Sequence, residues 1–567
     1  MNETRTYGTG EEHPLFLIYC CTEEHAYARA LAMHIEPEIP VCGFAVKKAM
    51  DGHQLRTVEG IAERMMGMIR AVQALGPYRI AACGFGGILA YEIATQLIGD
   101  DQSIAFLGLL NTTRGVVGGI SPESPLDANN DRLPFQRQQI AGGDEPQFAT
   151  TAIAPSSTTA ESTSCRAELS PVSIRPHQDS EDVFYRAQRL YRPQPISIPI
   201  HLFGGHDRDR SDLFREFERI HIRMIESESY STCAAADVKL CGQALLHAIR
   251  DGDQRKLTLP ENSYNPLSPL VIGRRNDIPL FCVPGAGASV TSFQQLASSL
   301  EVLCPIYGME PRGLDGVLVP HSTVAAAAGC YLQAIDEIYP KGPFHLLGHS
   351  FGGWIVFEMA QRMRQIGRPI LSLTILDSDV PDDARLRREY TPTETILKLV
   401  ELFEDLVDHS LEIGPSDLDS RNEAAQLKLV HERLVRFGLV PRKSRPEVLR
   451  GPLRTFSACT RSRYTPNSAY TGFGHLIMLD DPKLTTKANS REQQNRIEGW
   501  KRWAPNLVCL HGPGNHMTAL KPPHVHVLAK MLTSAWASIP TSGLVASRVD
   551  SALSANLKQA PSEAPRS

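Results

Sequence analysis

The sequence predicts an α/β fold with an open, mostly parallel sheet flanked by helices, built twice in tandem. Three observations carry this. The first is an internal repeat: "PVCGF" at 40–44 returns as "PIYGM" at 305–309, and "GPYRIAACGFGGILAYEIA" at 76–94 returns as "GPFHLLGHSFGGWIVFEMA" at 342–360. The offset drifts only from 265 to 266, and glycines and prolines match as well as apolar residues. One indel over such a stretch is the mark of a duplicated unit, not of shared amphipathicity. The second is alternation. Short apolar runs, of a length that suits strands buried on both faces, alternate with amphipathic stretches of helical length. The third is a glycine-flanked serine, "GHSFGG" (348–353), placed between a strand-like run and a helix-like one.

In the second copy the elements follow in order. "LFCV", "CPIYGM", "FHLLGH" and "LSLTILDS" read as strands; "TVAAAAGCYLQAIDEIY" and "GGWIVFEMAQRMRQIG" read as helices. "SPLVIGRRNDIP" (268–279) supplies the boundary with the first copy. Ser350 stands where a strand turns into a helix, the context that makes G-x-S-x-G a nucleophile elbow. Gly348 and Gly352 leave room for the backbone there, and the helix N-terminus behind Ser350 favours developing negative charge.

A serine nucleophile needs a base, and the base an orienting acid, in the chain order Ser, Asp, His. The next strand ends in Asp377, at the sheet edge where ligands bind. Asp379, Asp382 and Asp383 are rivals further into the loop. The base is expected at His516, in a Pro-Gly-Asn-His loop between the strand-like "NLVCLHG" and a helix. His511 is its main competitor; His524 and His526 fall at the helix start, and His349 flanks the pocket. Two backbone N–H groups are needed to hold an oxyanion. One is that of Phe351. The other belongs to Gly285 or Ala286 in "CVPGAGAS", and the sequence leaves that choice open.

The first copy departs at these positions. Gly84 stands where Ser350 does, and Asn111 where Asp377 does. "YCCTEE" replaces "PGAGAS", and no Pro-Gly-x-His loop appears before the linker; His206 follows a strand but lacks the helix pattern. Cys83 sits one position too early to act as nucleophile. The first copy is expected to contribute no catalytic group, and to serve stability or docking.

Composition bounds the rest. The chain has 567 residues, 42% hydrophobic and 21% charged, with a formal net charge of −5. That balance, with no Lys/Arg-rich run, gives no reason to expect nucleic acid as a partner. A polar start and no run of about 18 apolar residues argue against a signal peptide and a membrane span, so a cytoplasmic protein is expected. The twelve cysteines are scattered, with no C-x-x-C and no Cys/His cluster at zinc spacing, so neither metal nor cofactor is expected. The expected domains are 12–250, with a Ser/Thr/Pro-rich insertion at about 113–185, and 268–540; a disordered tail follows at 541–567.

From about Pro279 to Ala537 the sequence resembles the thioesterase domains of non-ribosomal peptide synthetases and polyketide synthases. The resemblance rests on "GMEPRGLDG", the 342–360 segment, "LTILDS" and "GPGNHMTALKPPHV". It implies the α/β-hydrolase fold, the triad Ser350, Asp377 and His516, and an acyl or peptidyl chain delivered on the phosphopantetheine arm of a carrier protein. It also implies a mobile helical lid at about 382–450, where Ile396, Leu397, Val400, Phe403 and Leu406 have amphipathic spacing. The expected function is a serine thioesterase or acyltransferase of natural-product biosynthesis; a carboxylesterase, or a carrier-binding scaffold in the first copy, are the alternatives.

Overall fold

The computed structural model describes residues 13–20, 22–46, 55–84, 86–110, 112, 186–188, 190–204, 222–226, 235–254, 264–273, 277–300, 304–368, 370–383, 389–419 and 421–537. The insertion expected at 113–185, the tail at 541–567, Asn111 and His206 lie outside the described residues.

The first copy contains β1 (Leu15–Tyr19), α1 (Thr22–Ile35), β2 (Val41–Ala45), α2 (Val58–Val72), β3 (Tyr78–Cys83), α3 (Gly86–Gly99), β4 (Ile104–Leu110), β5 (Ile200–Gly204), β6 (Ile222–Glu226) and α4 (Ala235–Gln254). The strands form one sheet, in the order β2-β1-β3-β4-β5-β6, and every pair is parallel. The second copy contains β7 (Leu267–Val271), β8 (Leu280–Val283), a 3-10 turn (Val290–Phe293), α5 (Gln294–Ser299), β9 (Ile306–Met309), α6 (Val324–Ile338), β10 (Phe344–His349), α7 (Gly352–Gln365) and β11 (Ile370–Leu376). A helical insertion follows: α8 (Pro392–Val407), α9 (Pro415–Asp419), α10 (Glu423–Arg436) and α11 (Arg450–Arg461). Then come β12 (Gly474–Met478), α12 (Thr486–Trp503), β13 (Leu507–His511) and α13 (His524–Ala537).

The second sheet runs β13-β12-β11-β10-β8-β9-β7. Without β7 its order is that of the first sheet, strand for strand. The chain therefore carries the α/β-hydrolase fold twice. The segment read as a boundary begins with an edge strand of the second sheet: β7 pairs antiparallel with β9. Its pattern could not announce this, because an exposed edge lacks a continuous buried run.

Each sheet is covered on both faces. In the first copy α2 and α3 pack on one face and α1 and α4 on the other. In the second, α6, α7 and α12 oppose α5 and α13. Helix α2 shows why the sequence folds this way. Thr57 caps its N-terminus by accepting from the Gly60 N–H at 3.1 Å, and Ile61, Met65, Met66 and Ile69 form one buried stripe. Burying each such side chain is worth ~1.5–3 kcal/mol.

The duplication extends further than the motifs. Tyr191 donates its hydroxyl proton to Glu92 Oε2 at 2.7 Å, and Tyr464 donates to Glu358 Oε2 at 2.9 Å. Both tyrosines open a Tyr-x-Pro before the next strand, and both glutamates lie on the helix after the elbow. A buried carboxylate needs such a partner, since an unsatisfied one would cost several kcal/mol.

The two copies are docked through the C-terminus of α3. Arg312, from the "GMEPRGLDG" loop, donates to the Ile98 and Gly99 carbonyls at 3.1 and 3.2 Å and pairs with Asp101 at 2.6 Å. A guanidinium there satisfies carbonyls left open at a helix end. The Ser322 N–H donates to Gly99 O at 2.9 Å, its hydroxyl to Gln96 O at 2.8 Å, and Thr323 bonds Asp100. Val319 is buried in the core of the first copy. The first copy also touches the start of the helical insertion, where the Arg56 N–H donates to Glu389 and its guanidinium pairs with Glu394.

Candidate active site

At the turn from β10 into α7, Ser350 has φ +54°. This left-handed conformation is uncommon for a residue with a Cβ and costs roughly 1–2 kcal/mol. The surroundings hold it. The Ser350 N–H donates to Leu376 O at 2.9 Å, the Gly353 N–H donates to Ser350 O at 2.9 Å, and the Ser378 hydroxyl donates to the same oxygen. A Cβ at Gly352 would run into the Val283 and Pro284 carbonyls, so only glycine lets α7 start this close to β8.

The first copy keeps the turn without the side chain. Gly84 has φ +53°; its N–H donates to Leu110 O at 2.8 Å, and the Gly87 N–H donates back to Gly84 O at 3.2 Å. A Cβ at Gly86 would meet Ile18 O, as one at Gly352 meets Val283 O. Cys83 is buried in β3, ahead of the turn. The loop after β1 is short: α1 begins at Thr22, whereas residues 284–289 separate β8 from its 3-10 turn.

Asp377 follows β11 and is 6% exposed, with φ +48°. Its Oδ2 accepts from His516 Nδ1 at 2.8 Å, and its Oδ1 accepts from Arg496 Nη1 at 2.9 Å. Burial alone would raise the Asp377 carboxyl. The His516 hydrogen bond and the Arg496 charge outweigh it, so the group falls to about 2. An ionised Asp377 holds the His516 proton on Nδ1, which leaves Nε2 to act as the acceptor. His516 stands in a turn organised by Asn515, whose Oδ1 accepts from the Met517 and Thr518 N–H groups at 3.0 and 2.9 Å.

The other candidates lie apart from this pair. Asp379 is exposed and faces Arg496 Nε at 3.6 Å, while Asp382 and Asp383 line the cavity further out. His511 faces Asp480 at 3.6 Å, His526 lies 3.2 Å from the Ser299 hydroxyl, and the His524 ring packs against Gly514. His349 is buried with its ring centroid 4.8 Å from that of His516. Burial, followed by the nearby His516 charge, pushes it down to about 3, and burial pushes His345 down to about 4. Both are neutral in the folded chain, while the unfolded chain protonates them below about 6.5. Their contribution to stability is therefore complete above pH 6.5 and is lost as pH falls towards 4 and 3. The melting temperature is expected to drop between pH 7 and pH 5, measured by calorimetry. An unchanged value would mean that these imidazoles charge within the fold, or that Glu92, which burial pushes up to about 7, offsets them by taking up a proton over the same range.

Ser350, Asp377, His516, Phe351, Gly285 and Ala286 all line one cavity of about 1320 Å³. Gly285 lies against the serine: a Cβ there would stand 3.1 Å from Ser350 Cβ. The cavity roof is helical. Helix α8 is capped by Thr391 and Glu394, each side chain accepting from the other's backbone N–H. It buries Ile396 and Val400 among the insertion's own helices and turns Leu399, Leu402, Phe403 and Leu406 to the cavity. The amphipathic spacing read from sequence thus serves both packing and lining. The insertion also continues beyond Arg450, through α11, whose Phe456 and Cys459 line the cavity.

Three residues of this neighbourhood escaped the sequence reading. Arg496 lies on α12, a polar helix whose pattern resembles any solvated face. Ser378 is one more serine beside a motif. Arg64 lies on α2 of the first copy and still lines the cavity of the second; only the docking of the two units brings it there. Among the described residues, no group of three or more His, Cys, Asp or Glu is placed to hold a metal.

The doubled sheet, with a serine turn at the end of one middle strand and an aspartate-held histidine across from it, defines an α/β-hydrolase-type protein. Residues 22–119 and 278–535 match the family model of the thioesterase domain, and the chain belongs to that family. It is similar to the inactive atromentin synthetase invA3 of Paxillus involutus, 26% identical over 271 residues, 47% of this chain and 27% of that protein. It is also similar to the atromentin synthetase invA5 of the same species, 30% identical over 284 residues, 48% of this chain and 28% of the relative. The chain thus spans less than a third of these relatives' length. Among solved structures it is similar to a four-domain nonribosomal peptide synthetase bound to AMP and glycine, with 18% identity and a TM-score of 0.43, covering 53% of this chain and 22% of that one. Among the described residues no helix is long and apolar enough to cross a membrane.

Proposed function

We propose that the second copy is a serine thioesterase or acyltransferase that takes an acyl or peptidyl chain from a carrier protein's phosphopantetheine thiol. The observation that carries this reading is the 2.8 Å hydrogen bond from His516 to a buried, ionised Asp377, in the same cavity as the Ser350 turn. Membership of the thioesterase family and similarity to synthetases support it.

In this mechanism Ser350 Oγ attacks the thioester carbonyl as its proton passes to His516 Nε2. The carbonyl oxygen becomes an oxyanion, held by the Phe351 N–H and that of Gly285 or Ala286. Collapse breaks the C–S bond, and His516 returns the proton to the departing thiolate. The chain is then an ester on Ser350. His516 next takes a proton from the acceptor, which attacks the ester and frees the serine. Water as acceptor gives the acid, an internal amine or hydroxyl a ring, and a second thiol a transferred chain. The apolar faces of α8 and α11 suit a long acyl group.

The test is incubation with a carrier protein loaded with an acyl-phosphopantetheine group, followed by mass spectrometry of carrier, protein and product. Unloading of the carrier and a transient acyl mass on the Ser350 peptide are expected. A carrier that stays loaded while a simple carboxyl ester is cleaved would replace this reading with a carboxylesterase.

A further inference from the structure

We propose that Arg64, carried by the copy without a nucleophile, binds an anionic group of the substrate at the mouth of the Ser350 cavity. The inference rests on the function proposed above and extends it to the role of the first copy. Arg64 is exposed, one residue after Glu63 on α2, and lines the cavity. The helix that carries it is anchored. Glu63 lies 4.0 Å from Arg463, which is also on the cavity wall. The α2 stripe is buried beneath it, and the Arg312 and Ser322 contacts hold the two copies together.

The charge balance of the wall sets Arg64 apart. Arg496 is engaged by Asp377 and Asp379, Lys398 by Glu401, and Lys483 by Asp405. Asp480 faces His511, the Asp481 carboxylate accepts from the Lys483 N–H, and Asp382, Asp383 and Glu492 each have a partner too. Among the described residues, Arg64 and Lys521 are the cations of the wall without an acidic partner, and only Arg64 comes from the other copy. Among the described residues the wall carries nine carboxylates against six Lys and Arg side chains, so an anion is held there by direct contact with the guanidinium and not by the field of the cleft. A guanidinium also presents paired donors that match a phosphate or a carboxylate. Two parts of the proposed substrate carry that chemistry: the phosphate of the carrier arm, and a carboxylate on the acyl chain.

The experiment compares the full chain with Arg64→Gln and Arg64→Glu on three thioesters of the same chain length. They are acyl-pantetheine, acyl-phosphopantetheine, and acyl-pantetheine with a terminal carboxylate on the acyl group. Arg29→Gln, an exposed arginine on α1 away from the cavity, is the control. The unaltered chain is expected to favour one anionic substrate in kcat/KM. Arg64→Gln should reduce that preference about tenfold, chiefly through KM, and Arg64→Glu further, whereas Arg29→Gln keeps it. Which substrate loses its preference identifies the anion as arm or chain. An exposed charge that makes no contact is screened within about 10 Å of solution at 0.1 M salt, so a tenfold change requires contact. A preference unchanged in Arg64→Gln and Arg64→Glu overturns the proposal. If the unaltered chain cleaves no thioester, the proposed reaction fails separately. Binding of phosphopantetheine and of a dicarboxylic acid, measured by calorimetry on the unaltered chain and Arg64→Gln, then decides for Arg64.

Discussion

A Ser350→Ala chain is expected to lose covalent labelling by a fluorophosphonate completely, where the unaltered chain takes one label, on Ser350. The serine stands at φ +54° beneath the N-terminus of α7, pressed by Gly285 and facing the cavity that contains His516. Neither the first copy's turn nor Ser378 offers a substitute. In the first copy the matching position is Gly84, and Cys83 is buried before the turn. The Ser378 hydroxyl is committed to the Ser350 carbonyl oxygen. Thioester turnover should fall by several orders of magnitude, since nucleophile and base act as a unit. The fold should survive, because alanine removes only the hydroxyl. Labelling that persists in a folded Ser350→Ala chain would take Ser350 out of the mechanism.

An Asp377→Asn chain is expected to fold, to bind substrate with little change in KM, and to turn over about ten-thousand-fold more slowly, as the same change does in a serine protease. Asp377 keeps the His516 proton on Nδ1. An amide can instead donate to that nitrogen, turn the imidazole to the wrong tautomer and withdraw the charge that stabilises the imidazolium. Arg496 would lose its buried charged partner, with Asp379 at 3.6 Å as a weaker one. A carboxyl that falls to about 2 from 3.8 contributes about 2 kcal/mol. That contribution is present above pH 3.8 and is lost as pH falls through 2. The variant should therefore melt somewhat lower at pH 7. Near-normal kcat in a folded variant would transfer the role to Asp379 or another acid.

Most of the architecture was legible because buried parallel strands and amphipathic helices leave strong local patterns. "FHLLGH" is β10 residue for residue, and "LFCV" is β8. The positions of Ser350 and Asp377 were legible because each directly follows a strand, and that of His516 because it lies in the loop after β13, where glycine and proline mark the change of period. What escaped was tertiary. Strand β7 has no buried face to announce it. Arg496 reads as a surface residue until α12 is laid beside β11. Arg64 belongs to a cavity of the other copy, and no local pattern encodes how two folded units dock. The Tyr191–Glu92 and Tyr464–Glu358 pairs were hidden because the segment between elbow and tyrosine differs in length between copies.

Gly84 bears on what a serine at the first copy's turn would cost. A serine at the elbow has to be forced into a left-handed backbone, and its neighbours supply that force at a cost to stability; glycine adopts the same backbone freely. Glycine at this turn spares the first copy roughly 1–2 kcal/mol of backbone strain, with hydrogen bonds that match those at Ser350. A hydroxyl there would bring in the strain with nothing gained, because Asn111 stands where Asp377 does and the loop after β1 is short. The strain of a side chain at the elbow is thus borne by one copy alone, and the other makes the same turn without it.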